Sequence, residues 1–254
     1  MKSPCCTILG GQPGAGKTTL HSIVRKSDAN TVFVIGDDFR GYHPNFVELN
    51  NKYGDSVPYT AFFYGKMTEA LIAKLSDERY NLVIEGTLRT VDVPENTAAL
   101  LKSKGYKTEL YVIAVSAEKS WQGTIDRFNE MKAEGAAPRA TAKGHHDTVV
   151  AALPDNLGVL YDRGTIERIC LFTREKECIY DSKFTPDINP KDMIKAILDG
   201  KPENYFIKRQ EPESSEPATT LAGYKQLIDA ERNPAIVNSR IRDSIPSKDI
   251  KFER

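Results

Sequence analysis

The sequence predicts an α/β fold, a parallel sheet with helices on both faces. Two observations carry this. Short runs rich in β-branched and aromatic residues alternate with longer amphipathic stretches. The runs are apolar almost throughout, as strands buried on both sides are.

In chain order, CCTIL (Cys5–Leu9) is the first strand and ends in a glycine-rich turn. A helix follows over Lys17–Lys26. TVFVI (Thr31–Ile35) is the second strand, and Thr60–Ser76 the second helix. NLVIEG (Asn81–Gly86) is the third strand. Its helix, Val93–Lys104, ends in KSKGY, where Gly105 after a lysine-rich end has the pattern of a C-cap. TELYVIAV (Thr108–Val115), helices over Ser116–Lys132 and His145–Asp162, and RICLF (Arg168–Phe172) complete the core. Composition shifts after Asp199. The stretch at 201–220 carries three prolines and many charges, which predicts a surface linker. LAGYKQLIDAER (221–232) predicts a last helix before a polar tail. The expected domains are therefore a core over 1–200 and a charged linker with helix and tail over 201–254.

Composition excludes some classes. Lys and Arg total 35, and so do Asp and Glu, over 254 residues. A zero formal charge argues against a nucleic-acid binder, which normally carries a basic excess. No apolar run approaches the roughly 18 residues of a membrane span. The first strand starts close to Met1, which leaves no room for a signal segment, so the expected location is cytoplasmic. Cys5, Cys6, Cys170 and Cys178 lie on strand-like segments and form no Cys-x-x-Cys pair. They are expected to be buried, reduced thiols.

The turn after the first strand reads GGQPGAGKTT (10–19). Gly11, Gly16, Lys17 and Thr18 satisfy G-x-x-x-x-G-K-[ST], the phosphate-binding P-loop. Glycines let successive N–H groups line an anion nest, and the following helix points its positive end at the same place. Residues Gly11, Gln12, Pro13, Gly14, Ala15, Gly16, Lys17, Thr18 and Thr19 are thus the predicted ATP-binding set. Lys17 reaches the β and γ phosphates, and Thr18 is the Mg²⁺ ligand. The strand-to-helix context makes the motif strong.

Two further strand ends carry chemistry. After the second strand stand Asp37 and Asp38, at the carboxyl edge where open α/β sheets bind ligands. A carboxylate there can accept the proton of an attacking hydroxyl; the plain alternative is a turn cap. After the third strand, Glu85, Thr87 and Arg89 stand in EGTLR. Such an arginine suits a phosphate or carboxylate. A guanine-reading N-K-x-D is absent, which argues against a switch GTPase.

Taken together, GGQPGAGKTT, DDFRGYHPNF, MTEALIAKLSDERYNLVIEGTLRTVDVP and RATAKGHHD resemble the zeta toxin family, the kinase toxins of epsilon/zeta toxin–antitoxin modules. The resemblance spans about residues 8–182. It implies a P-loop kinase-like α/β fold, ATP-dependent phosphorylation of UDP-N-acetylglucosamine on the 3″-hydroxyl (or of other UDP-sugars), which blocks peptidoglycan synthesis, and a small epsilon-like antitoxin that occludes the nucleotide site. It maps the catalytic base onto Asp37, with Asp38 adjacent. It maps substrate contacts onto Glu69, Glu85, Thr87, Arg89 and Thr97, and phosphate-clamping arginines onto Arg127 and Arg139. The segment around 120–145 is small-residue-rich near Arg139 and suits a lid over the phosphates.

His21, His43, His145 and His146 are expected to be structural or peripheral. Two other classes stay open: a P-loop kinase for another small hydroxyl compound, such as an antibiotic or metabolite, and a nucleotide-dependent binding protein that makes no phosphorylated product.

Overall fold

The computed structural model describes residues 3–25, 30–53, 56–135, 140–203 and 205, all within the first of two units into which the chain divides, 1–205. Six strands form one sheet in the order β2-β3-β1-β4-β5-β6. They are β1 (Cys5–Gly10), β2 (Thr31–Val34), β3 (Asn81–Glu85), β4 (Lys107–Ile113), β5 (Arg168–Phe172) and β6 (Cys178–Asp181). The first five run parallel, as expected. β6 pairs antiparallel with β5 at the edge and was not foreseen. It is only four residues long, and a tight turn suffices to return an antiparallel neighbour.

The helices are α1 (Thr18–Arg25), α2 (Phe46–Tyr53), α3 (Val57–Asp77), α4 (Asp92–Ser103), α5 (Ala117–Ala133), α6 (Lys143–Arg163) and α7 (Lys191–Leu198). α3 starts three residues before the expected Thr60 because Pro58 sits in its first turn, where its missing N–H costs nothing. Gly105 adopts the left-handed conformation (φ +77°) after α4, as the C-cap reading required. α2 escaped the sequence reading. It buries no residue, so it has no apolar stripe to detect. α7 is short but seats Met193, Ile194 and Leu198 in the core.

Leu9, Leu110, Val112, Leu171 and Phe172 from the strands meet Leu20, Leu101, Leu153, Leu157 and Leu160 from the helices, all essentially inaccessible. Each such side chain contributes on the order of 1.5–3 kcal/mol by leaving water. This core fixes the strand ends, and the strand ends carry the chemistry.

Cys6, Cys170 and Cys178 are buried free thiols and Cys5 is half-buried. Burial pushes Cys5 up to about 11 and Cys6 higher still, so both stay protonated. Cys170, Cys178 and Asp181 bring donor atoms within 4.8 Å of one another. The Asp181 carboxylate is already held by Arg168, through Nε at 3.0 Å and through Nη2, which makes this cluster structural. Among the described residues no helix is long and apolar enough to cross a membrane. The expected linker and helix at 201–254 lie outside the described residues, apart from 201–203 and 205.

Candidate active site

β1 is central, flanked by β3 and β4, and the chain leaves it as the P-loop. Leu9 pairs in register with Glu85 and Gly10 with Val112, so the loop emerges beside the acid at the end of β3. Gly86 N–H donates to Leu9 O at 2.8 Å and holds the two strand ends together. Within the loop Gly11, Gly14 and Gly16 all have positive φ. Gly14 has a second reason to be glycine: a Cβ there would stand 2.0 Å from Ser120 O of α5. Gln12 is fully buried, and its Nε2 donates to Val115 O at 2.9 Å, which anchors the loop to the segment after β4. Pro13 and Ala15 complete the turn, with Ala15 N–H donating to Gln12 O at 3.1 Å. α1 begins at Thr18, whose side chain is exposed, and Thr19 N–H donates to Gly16 O at 2.9 Å.

Lys17 is nearly buried. Its Nζ donates to Gly11 O at 3.2 Å and lies 3.7 Å from Glu85 Oε1. Burial lowers its pKa from the ordinary lysine value. Glu85 and, more weakly, Asp37 pull it back up, while Arg127 pushes it down. The field therefore joins four of the predicted residues, two cations and two acids, in one place. Arg127, on α5, donates to Thr141 Oγ1 at 3.4 Å, and its buried Nε has no hydrogen-bond partner among the described residues. An unpaired buried donor whose charge is felt by a desolvated ammonium is costly unless an anion joins them. The pair fits a phosphate. Arg139 and the middle of the expected lid, 136–139, lie outside the described residues.

Asp37 and Asp38 stand three and four residues past the end of β2, on a 3-10 helix over Gly36–Tyr42. Both are exposed, and Arg40 tells them apart. Arg40 Nε donates to Asp37 Oδ1 at 2.8 Å, while Nη1 donates to Val57 O at 2.9 Å and Thr60 Oγ1 at 2.8 Å. The guanidinium lies 3.9 Å over the Tyr64 ring. Arg40 is buried and tied to α3, so it fixes the Asp37 carboxylate, which stays 49% exposed. Asp38 uses its backbone N–H to close the turn on Ile35 O.

The β3–α4 connection places Glu85, Thr87 and Arg89 differently. Glu85 touches Lys17 and also His21, with His21 Nε2 3.4 Å from Oε2. Thr87 is half-buried, and Arg89 is exposed. Between them Leu88 is buried with φ +56°, and its carbonyl accepts from Asn156 Nδ2 at 2.9 Å. This turned residue aims the loop, and the Arg89 charge reaches His145 at the start of α6, where, after burial, it is the next cause of a lowered imidazole pKa. Glu69 and Thr97 are not brought to the Lys17 cluster. Glu69 is 68% exposed on α3 and pairs with Lys66 at 2.7 Å. The Thr97 hydroxyl bonds back to Val93 O at 2.8 Å within α4.

Three residues at the site were missed or undervalued in the sequence. His21 was expected to be structural or peripheral, and it contacts the site acid Glu85; its place four residues after Lys17 was the available signal. His146 is structural as expected, buried against Ser120 Oγ at 2.9 Å. Arg40 could have been suspected from its spacing after Asp37. Arg174 follows β5 and donates to the P-loop carbonyls of Gly14 (2.6 Å) and Ala15 (3.0 Å). Its position just past a strand's carboxyl end was the clue.

For a divalent cation the donor set is oxygen-rich: the exposed Thr18 hydroxyl at the start of α1 and the Glu85 carboxylate at the neighbouring strand end. Those are the ligand types Mg²⁺ takes, completed by water and phosphate oxygens.

The zeta toxin family model matches residues 1–185. Toxin PezT of Streptococcus pneumoniae serotype 4 is 47% identical over 203 residues, 79% of this chain and 80% of that protein. Toxin zeta of Streptococcus pyogenes is 45% identical over 204 residues, 79% of this chain and 71% of its own length. A solved structure from the characterisation of the PezAT chromosomal toxin–antitoxin system of Streptococcus pneumoniae superposes with a TM-score of 0.71 at 40% identity, covering 92% of this chain and 89% of that one. A complex of AvrRxo1-ORF1 and -ORF2 with ATP shares the fold at 15% identity, TM-score 0.51, over 85% of this chain and 67% of that one. With a P-loop at the head of a five-stranded parallel core, and with these similarities across most of its length, the chain belongs to the zeta toxin family.

Proposed function

We propose that the protein is a toxin kinase that transfers the γ-phosphoryl group of ATP to the 3″-hydroxyl of UDP-N-acetylglucosamine in the cytoplasm, halting cell-wall synthesis. The observation that carries this reading is the P-loop with its buried Lys17 held 3.7 Å from Glu85, in the fields of Arg127 and Asp37. The cations suit a transferring phosphoryl group, and the half-exposed Asp37 suits an acceptor hydroxyl. A complex with ATP in a distant relative of the same fold agrees with the choice of nucleotide.

The residues divide the work. The P-loop N–H groups and Lys17 hold the β and γ phosphates. Thr18 would hold Mg²⁺, which neutralises phosphate charge when bound. Asp37, fixed by Arg40, accepts the proton of the acceptor hydroxyl. The hydroxyl oxygen then bonds to the γ phosphorus as the bond to the β-bridging oxygen breaks and ADP leaves. Arg127, with Arg139, stabilises charge spread over the equatorial oxygens. Glu85, Thr87 and Arg89 receive the sugar nucleotide, with Arg89 suited to its diphosphate. Glu69 on α3 and Thr97 on α4 belong to this set only if the acceptor or a movement of their helices brings them in.

An epsilon-like antitoxin that covers the nucleotide site is the proposed partner, supported by the toxin–antitoxin system of the 40%-identical relative. The test is growth. Induced expression of the wild-type chain should arrest bacterial growth, co-expression of the cognate antitoxin should restore it, and Lys17→Ala should be harmless. Growth arrest by Lys17→Ala at equal protein level would contradict a phosphoryl-transfer mechanism.

A further inference from the structure

Arg174 reaches the underside of the P-loop from the turn between β5 and β6. Its Nε donates to Ala15 O at 3.0 Å, and its Nη2 donates to Gly14 O at 2.6 Å and to Lys119 O of α5 at 3.2 Å. The peptide between Gly14 and Ala15 is thereby tied at both ends, because Ala15 N–H donates to Gln12 O. A trans peptide points its C=O and N–H in opposite directions. Holding Ala15 O therefore sets the direction of the Gly16 N–H, one of the groups that must line the anion nest. The guanidinium also caps the negative ends of two carbonyl dipoles on the far side of that nest.

α5 completes the seat. A Cβ on Gly123 would stand 2.5 Å from Gly14 O and 3.0 Å from Arg174 Nη2, so loop, helix and guanidinium meet where a side chain is missing. Arg127 lies one turn further along the same helix. The loop carrying Lys17 and the helix carrying Arg127 are thus joined through one fork of charge-assisted hydrogen bonds.

We propose that Arg174 is a positioning residue for the nucleotide phosphates, a brace that presets the P-loop and fixes it to the helix of Arg127. This rests on the P-loop being a nucleoside-triphosphate site. The brace depends on the planar fork and not on charge alone, because a lysine offers one point donor where three carbonyls converge.

The test titrates Mg-ATP into the wild-type chain, Arg174→Lys, Arg174→Met and Gly123→Ala by calorimetry. The Tm of each protein without nucleotide is recorded in parallel. The expected result is wild-type binding, with Kd raised ~10–100-fold in all three variants, the range typical of outer partners that orient a ligand group. Arg174→Lys should resemble Arg174→Met, and KM for ATP should rise more than kcat falls. Should Arg174→Met fail to fold, Arg174→Lys and Gly123→Ala decide. Variants that bind as the wild type does, or a lowered Tm with unchanged Kd, would overturn the brace alone. A wild-type chain that binds no ATP would overturn the nucleotide reading and the brace with it.

Discussion

The two halves of the candidate site are built differently. The nucleotide half is made of backbone and held from several sides: Gln12 ties it to Val115, Lys17 folds back on Gly11 O, and Arg174 grips Gly14 and Ala15. The proposed acceptor half is made of side chains that stand in the open. Asp37 is 49% exposed, Arg89 is exposed, and α2, which packs against the 3-10 helix of Asp37, buries nothing. A phosphate site can be rigid before its ligand arrives, because every nucleoside triphosphate presents the same anion. An acceptor site contributes to catalysis mainly through contacts completed in the transition state.

Variants of the two halves should therefore fail in different ways. The largest effect is expected at Lys17. Lys17→Ala should cut turnover by ~10³-fold or more, the scale for a cation on a transferring phosphoryl group, and weaken ATP binding as well. Steady-state kinetics and calorimetry check both. Asp37→Asn should cut turnover by the ~10²–10⁴ of a general base while ATP affinity stays near normal. Asp38→Asn should be much milder, since Arg40 fixes only its neighbour. The reverse ranking would move the base one residue along.

These effects bear on what the sequence could reveal. The P-loop was legible because one contiguous stretch carries glycine conformation, lysine and helix start together. The strand-end acid Glu85 was legible from the apolar run before it. The parallel core was legible because its strands are buried on both faces and hence apolar throughout. Arg174 was not, since the residues it braces lie about 160 positions away and no local pattern joins them. α2 and β6 were not, because one has no buried face and the other is four residues at a sheet edge. The family resemblance supplied Glu69 and Thr97, yet each makes its contact within its own helix, Glu69 with Lys66 and Thr97 with Val93 O.

Smaller effects sharpen the contrast. Arg89→Ala should raise KM for the UDP-sugar ~10–100-fold, as loss of a charged hydrogen-bonding group does, and leave KM for ATP nearly unchanged. An effect confined to ATP would place Arg89 in the nucleotide half.

The smallest effect is on pH. Lys17 has a lowered pKa in the folded chain, so the unfolded chain holds that proton to higher pH. Stability without nucleotide should rise with pH between the lowered value and the ordinary 10.5. ATP favours the ammonium, so its Kd should increase several-fold across the same window as binding becomes linked to proton uptake. Calorimetry in buffers of different ionisation enthalpy would show that uptake, and Lys17→Arg should abolish it.

The most direct measurement of the central claim is mass spectrometry of UDP-N-acetylglucosamine after incubation with the protein, ATP and Mg²⁺, beside free N-acetylglucosamine and other hydroxyl acceptors. The expected result is a gain of one phosphate on the sugar nucleotide, placed at the 3″ position by NMR, little product from the free sugar, and none with Asp37→Asn over the same time. An unmodified sugar nucleotide, with ATP consumed or another acceptor phosphorylated in its place, would contradict it.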